Sequence, residues 1–172
     1  MKTFKMKMLI FLAFAMAISL SSAQESTLEF ENAESSVQIV KDYVTALQSG
    51  DVAKMNQYLS EDAMVYNLGG GRDSLNPKQH REYYTNSTNT YTHSISRDLY
   101  LPVKVTNNWN EGEWVLAWGT NTVTNKKNGK VSVIPYHTAT IFENGKIKAI
   151  HYFYDMSNIM KTQGWTMTPP KE

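Results

Sequence analysis

Residues 131–154 read VSVIPYHTATIFENGKIKAIHYFY, and this stretch decides the fold. Side chains alternate in polarity through Val131–Phe142 and again through Lys146–Tyr154, which predicts two β-strands. Asn144-Gly145 lies between them, and this dipeptide is a strong signal for a tight hairpin turn. A two-residue turn at that point pairs Glu143 with Lys146 and predicts a long antiparallel hairpin.

The chain before the hairpin contains further regular patterns. Alternation through Ser94–Thr106 and Trp114–Thr124 predicts two more strands, and a shorter strand is expected at 63–68. Helical spacing of apolar residues predicts helices at about 36–49, 52–59 and 77–88, and Asp155 or Ser157 is expected to cap a last half-helix through Met160. Helices followed by an antiparallel meander predict an α+β domain, in which the sheet curls around the first helices.

The first 23 residues are typical of a cleavable export signal. Lys2, Lys5 and Lys7 precede an apolar run, Met8–Leu20, and the small residues Ser21-Ser22-Ala23 follow it. The run is too short to cross the ~30 Å hydrocarbon core of a membrane. We therefore expect a signal peptide at 1–23, a flexible lead-in at 24–34, one domain at 35–165 and a frayed tail at 166–172, with the mature protein exported to the periplasm or secreted.

Charge and cysteine content exclude several classes of function. Removing three of the 17 basic residues with the leader leaves 14 against 16 acidic ones, with no basic cluster, so neither nucleic acid nor a membrane is an expected partner. The absence of cysteine excludes disulfides, thiol nucleophiles, thiolate metal sites and a lipidated cysteine. No nucleophile elbow and no dinucleotide-binding glycine pattern is present, so no nucleotide cofactor is expected.

Three stretches resemble one known family. They are DYVTALQSGD at 42–51, YLSEDAMV at 58–65, and FENGKI at 142–147 continuing to Tyr154-Asp155. The chain resembles the SnoaL-like domains and ketosteroid isomerases of the nuclear transport factor 2-like superfamily. The resemblance implies a cone-shaped fold with a pocket, but the superfamily includes isomerases, dehydratases, hydrolases, cyclases and proteins that only bind ligands.

The resemblance also implies positions for a site. The tyrosine of the isomerase oxyanion hole falls on Tyr43, and the general-base aspartate falls on Asn67, whose amide cannot take up a proton. The second oxyanion residue falls on His137, or on Thr138 if the register shifts by one.

Regular pairing from the Asn144-Gly145 turn opposes His137 to Tyr152. Periodicity leaves the choice of face open, since both are partly apolar; the resemblance implies that the pocket is lined by the face with Ile141, Ala139, His137, Ile150, Tyr152 and Tyr154. The other face would be the outer surface, and its apolar members predict a homodimer through the sheet: Tyr136, Phe142, Ile147 and Phe153.

Two further residue types bear on the site. The four histidines, His80, His93, His137 and His151, lack paired ligand spacing, so no metal site is expected. Trp118 shares a strand face with Trp114 and Leu116, where it would either stack on a flat ligand or form core or dimer surface.

Two functions remain open from the sequence. The leading hypothesis is a pocket for a small, mostly apolar or aromatic ligand. The alternative is a cofactor-independent lyase or isomerase in which His137 and Tyr43 carry out acid–base chemistry. The predicted ligand-binding residues are Tyr43, Asn67, Trp118, His137, Tyr152 and Tyr154.

Overall fold

The computed structural model describes residues 25–69, 73–166 and 168. The predicted leader and its cleavage after Ala23 lie outside the described residues, as does most of the predicted tail. Cleavage stays a prediction, which the intact mass of protein from its native host would test. Within the described ranges, no helix is both long and apolar enough to cross a membrane.

Four helices and seven strands make up the described chain. The helices are α1 (Ala33–Ser49), α2 (Val52–Gln57), α3 (Pro77–Thr90) and α4 (Met156–Thr162). The strands are β1 (Glu25–Thr27), β2 (Leu59–Tyr66), β3 (Ser74–Leu75), β4 (Tyr91–Thr106), β5 (Gly112–Asn125), β6 (Val131–Glu143) and β7 (Lys146–Tyr154).

All seven strands form one sheet in the order β1-β4-β5-β6-β7-β2-β3. The meander from β4 to β7 is antiparallel, as predicted, and β2 pairs with β7 in parallel. The α+β prediction is confirmed. The short edge strands β1 and β3 and the parallel pair were not predicted, because a strand of two or three residues carries too little periodicity to be recognised.

Side-chain caps fix the starts of helices α2 and α3. Asp51 accepts a hydrogen bond from Lys54 N at 2.9 Å at the start of α2, and Asn76 with Gln79 forms a reciprocal capping box ahead of Pro77 in α3. Helix α1 begins at Ala33, three residues before the predicted start, and its N-cap Asn32 makes no side-chain capping bond. Both long helices pack against the concave face of the sheet.

The core lies between the helices and that concave face. Its members are buried side chains of α1, α2 and the central strands, including Val40, Leu47, Met55, Val65, Val115, Ile147 and Ile150. The core ends where the sheet curves away from α1 and α3, and a cavity remains there.

The last hairpin turns where predicted but changes register three residues later. Glu143 pairs with Lys146, while Ile141 pairs with Ala149, so Lys148 is an extra residue on β7. The ammonium of Lys148 lies at the surface, 2.5 Å from Asp62 Oδ2 and 3.0 Å from Glu143 Oε2. This bulge shifts every later pair by one residue.

Because of this bulge, the prediction of which hairpin side chains face the pocket is partly wrong. His137 opposes Phe153 instead of Tyr152, and Tyr152 opposes Thr138. The inner face of β6 is therefore the set Ile134, Tyr136, Thr138 and Thr140, whereas the β7 residues Ile150, Tyr152 and Tyr154 face inward as expected. Of the four apolar residues predicted on the outer face, only Phe153 is exposed; Phe142 and Ile147 are buried and Tyr136 lines the cavity.

Candidate ligand-binding site

A cavity of about 230 Å³ lies between helices α1, α3 and α4 and the concave face of the sheet. Its aliphatic wall comes from α1 and the central strands, including Val40, Val44, Leu47, Ile95, Ala117, Val123, Ile134 and Ile150. Its aromatic wall consists of seven tyrosines: Tyr43, Tyr83, Tyr84, Tyr91, Tyr136, Tyr152 and Tyr154. Among the lining residues that the structure describes, none is Asp, Glu, Lys or Arg.

One end of the cavity is backed by a chain of hydrogen bonds that reaches into the protein. The Tyr43 hydroxyl lies 2.7 Å from His80 Nε2, and His80 Nδ1 lies 2.8 Å from Asn56 Oδ1. Asn56 Nδ2 then donates to the Pro77 carbonyl at 2.7 Å. His80 is fully buried, and burial lowers its pKa to about 4, so the ring is neutral near pH 7.

The Pro77 carbonyl fixes the direction of this chain because it can only accept. Asn56 must turn its NH₂ group toward that carbonyl, which leaves its Oδ1 to accept from His80 Nδ1–H. The neutral ring then carries its lone pair on Nε2, so the Tyr43 hydroxyl donates to His80. The proton of Tyr43 is thus engaged away from the cavity.

Two more tyrosines continue the chain along the cavity wall. The Tyr152 hydroxyl lies 3.4 Å from that of Tyr43 and donates to it, since the Tyr43 hydrogen is already engaged; Tyr84 donates to Tyr152 at 3.2 Å. Burial raises the pKa of all three phenols, for Tyr43 and Tyr84 well above the usual value. We call Tyr43, Tyr84 and Tyr152 the tyrosine cluster; its hydroxyls stay protonated at neutral pH.

A second polar group lies further along the sheet. Asn121 is four residues beyond Ala117 on β5, about 13 Å along the strand. His93 Nδ1 lies 3.1 Å from Asn121 Nδ2, and His93 Nε2 lies 3.0 Å from Ser87 Oγ. Burial lowers the pKa of His93, which favours the neutral ring. Asn121 Oδ1 and the Tyr136 hydroxyl are buried with no hydrogen-bond partner among the described residues.

The structure brings three of the six predicted residues to the cavity. Tyr43, Tyr152 and Tyr154 line it, and the Tyr154 hydroxyl donates to the Leu68 carbonyl at 2.5 Å. Asn67 is not among the lining residues; it lies in the turn after β2 with a positive φ of 65°, and its N–H donates to the Asp73 carbonyl at 3.0 Å.

The placement predicted for His137 is wrong, and Trp118 lies on the outer surface, which is one of the two alternatives that the sequence leaves open for it. Their rings pack against each other on the outer face of the sheet, with centroids 4.7 Å apart. Ala117 points inward, so its neighbour Trp118 on β5 points outward, and the register carries His137 to the same side. His137 and Tyr43 therefore form no acid–base pair.

Several site residues were not predicted as such. His80, Tyr84 and Ser87 lie at i, i+4 and i+7 on α3, so they share one helix face, and that spacing was visible in the sequence. Asn56 and Asn121 reach the site from α2 and β5, and no local pattern distinguishes either residue from an ordinary surface amide.

Comparison with protein families identifies the domain. A sequence model of the SnoaL-like domain matches residues 40–150, which run from the middle of α1 through α3 and the meander to the middle of β7. No curated protein matches the chain.

Solved structures with the same fold are distant in sequence. A provisionally assigned polyketide cyclase from Pseudomonas putida is 17% identical with a TM-score of 0.60, over 73% of this chain and 96% of that one. An LEH-like epoxide hydrolase from M. tuberculosis is 14% identical with a TM-score of 0.60, over 75% and 89%. An NTF2-like protein from Burkholderia xenovorans is 18% identical with a TM-score of 0.58, over 75% and 95%. Such identities establish the fold alone.

Proposed function

Because the chain belongs to the SnoaL-like domain family, we propose that its cavity binds one small, neutral, mostly apolar or aromatic molecule. The observation that carries the proposal is the lack of any charged side chain among the described lining residues. A charged ligand would lose its hydration there without gaining a counter-ion, at a cost of several kcal/mol. A neutral ring system would lose little hydration free energy and would bury the apolar surface of the cavity wall.

The size of the cavity narrows the class of ligand. A closed apolar cavity of roughly 150 Å³ is enough for benzene. The volume of about 230 Å³ found here is larger and is lined on several sides by tyrosine rings. It fits a compact molecule of about two fused rings, held by stacking and edge contacts with those aromatic side chains.

The alternative function, a lyase or isomerase, lacks the base that was proposed for it, His137. It required His137 in the cavity, and the His137 ring packs on Trp118 and Phe153 on the other face of the sheet. The two histidines that do belong to the site are engaged on both ring nitrogens, His80 by Tyr43 and Asn56 and His93 by Ser87 and Asn121. Binding without turnover is the better supported function.

Three compounds with one ring system test this proposal: 2-naphthol, 2-naphthoate and 2-naphthylmethylammonium, titrated calorimetrically at pH 7. We expect 2-naphthol to bind at least about tenfold more tightly than either ion, a difference of roughly 1.4 kcal/mol. The naphthol recovered afterwards should be chemically unchanged. Equal or tighter binding of either ion would contradict a neutral-ligand site, and consumption of the naphthol would favour an enzyme.

We also propose a homodimer through the outer face of the sheet. Leu99, Trp118, His137 and Phe153 form one row across strands β4 to β7, and Val133 extends it along β6. Leu99 is 60% exposed, Val133 51% and Phe153 52%, so an isolated monomer would leave an apolar patch in water. Of the four residues predicted for this surface only Phe153 belongs to the row, because the others are buried or line the cavity.

Phe153→Glu is expected to convert the dimer to a monomer, because it places a charge in this exposed apolar row, at its β7 end. Light scattering at tens of micromolar measures the mass. Trp109→Glu is the matched control, since Trp109 is 93% exposed in the loop between β4 and β5, away from the row, and should leave the mass unchanged. A wild-type protein that has the monomer mass would refute the dimer.

A further inference from the structure

The direction of hydrogen bonding in the tyrosine cluster limits what the cluster can offer a ligand. Tyr43 donates to His80, Tyr152 donates to Tyr43, and Tyr84 donates to Tyr152. Each hydroxyl hydrogen is therefore used inside the chain. Oxygen lone pairs remain, above all on Tyr84, whose hydroxyl accepts no hydrogen bond from another described residue.

We propose that the ligand is a neutral alcohol or phenol that donates its hydroxyl hydrogen to the tyrosine cluster. This inference rests on the proposed function, since it specifies the ligand of the same cavity. A ketone or ether can only accept a hydrogen bond, and at the cluster it would meet lone pairs with no free hydrogen. The arrangement is the reverse of an oxyanion hole, which presents donors to a carbonyl oxygen.

The unpartnered amide oxygen at the other end supports a donor-bearing ligand independently. Asn121 Oδ1 is buried, and Asn121 lines the cavity. One hydrogen of its Nδ2 is engaged by His93, whereas the oxygen has no partner among the described residues. A buried acceptor without a partner carries a desolvation cost, which a hydroxyl or N–H of the ligand would offset.

Three probes of similar shape test the inference: 2-naphthol, which donates, and 2-methoxynaphthalene and 2-tetralone, which only accept. In the wild type, 2-naphthol is expected to bind about three- to tenfold more tightly than either, the range for one neutral hydrogen bond. Ser87 and Tyr136 can still donate elsewhere in the cavity, so the decisive quantity is the change in preference when the chain is broken.

Two variants break the chain at different points. Tyr43→Phe removes the acceptor of the Tyr152 hydrogen, and His80→Leu removes the acceptor of the Tyr43 hydrogen, so each frees one donor in the cluster. In both, the affinity of 2-tetralone relative to 2-naphthol should rise about three- to tenfold. Tyr43→Phe keeps the test decisive if His80→Leu, a change at a fully buried side chain, does not fold.

Each variant has a matched control on the outer face. Tyr66→Phe and His137→Leu repeat the two substitutions at residues outside the cavity lining, where Tyr66 stacks on His151 and His137 on Trp118. Both should keep the wild-type preference. If folded Tyr43→Phe kept the wild-type preference between 2-naphthol and 2-tetralone, the inference would be overturned. The proposed function would still stand as long as the wild type binds 2-naphthol. No binding of 2-naphthol to the wild type would overturn both.

Discussion

Ala117→Phe is expected to abolish binding of 2-naphthol, with an affinity loss of more than about 100-fold, or roughly 3 kcal/mol. Ala117 is 1% exposed, lies at the centre of β5 and points into the cavity. A phenyl ring there would occupy the space that the ligand needs. Because the cavity gives that ring room, the cost to folding should stay within the ~1–3 kcal/mol typical of overpacking. Calorimetric titration and a urea melt measure the two quantities.

Ala139→Phe is the matched control for this substitution. Ala139 lies on the neighbouring strand β6, opposite Leu116, and faces the outer side of the sheet. The same increase in size should leave the naphthol affinity within about twofold of the wild type. If Ala117→Phe bound the probe normally, or if Ala139→Phe lost it, the assignment of the concave side as the binding side would be wrong.

Acidification is expected to lower the free energy of unfolding by about 3 kcal/mol between pH 7 and pH 4 through His80 alone. The unfolded chain protonates this ring as the pH falls through about 6.5. The folded chain does so only near pH 4, because the pKa of the buried ring is lowered to about 4. Between those values the unfolded state binds more protons, so stability is complete above pH 6.5 and is lost as the pH falls toward 4.

Urea melts at half-unit pH intervals measure this loss. His80→Leu should be less stable than the wild type at pH 7, because Asn56 Oδ1 loses its donor, but its stability should vary less with pH. His137→Leu, which removes a half-buried ring on the outer face, should keep most of the wild-type dependence. Equal pH dependence in the wild type and in His80→Leu would show that another group causes the acid sensitivity.

More of the fold than of the site could be predicted, because the sequence signals for the fold are local. Asn144-Gly145 placed the hairpin turn correctly, and Asp155, one of the two residues expected to cap the last helix, does cap α4. Each of these signals lies within a few residues of the feature that it predicts. The antiparallel meander followed from alternation over long strands, where one irregular residue does not hide the period.

The facing of the hairpin could not be predicted, because the bulge that sets it has no marker in the local sequence. The bulge at Lys148 is accompanied by an ion pair to Asp62 on β2, 86 residues earlier. Nothing in the sequence around Lys148 distinguishes it from an ordinary outward-facing lysine. The same limit applies to Asn56 and Asn121, whose roles arise from partners on other elements.

Strand β7 carries two complete sets of side chains, and the bulge selects which set the cavity receives. One set bears hydroxyls, Tyr152 and Tyr154, and the other bears an imidazole and a phenyl ring, His151 and Phe153. Inserting a single residue between Ile150 and His151, or deleting Ile150, would exchange the two sets. In a gene, the gain or loss of one codon would thus replace the side chains that β7 presents to the cavity. Point substitution would need several steps to make the same replacement.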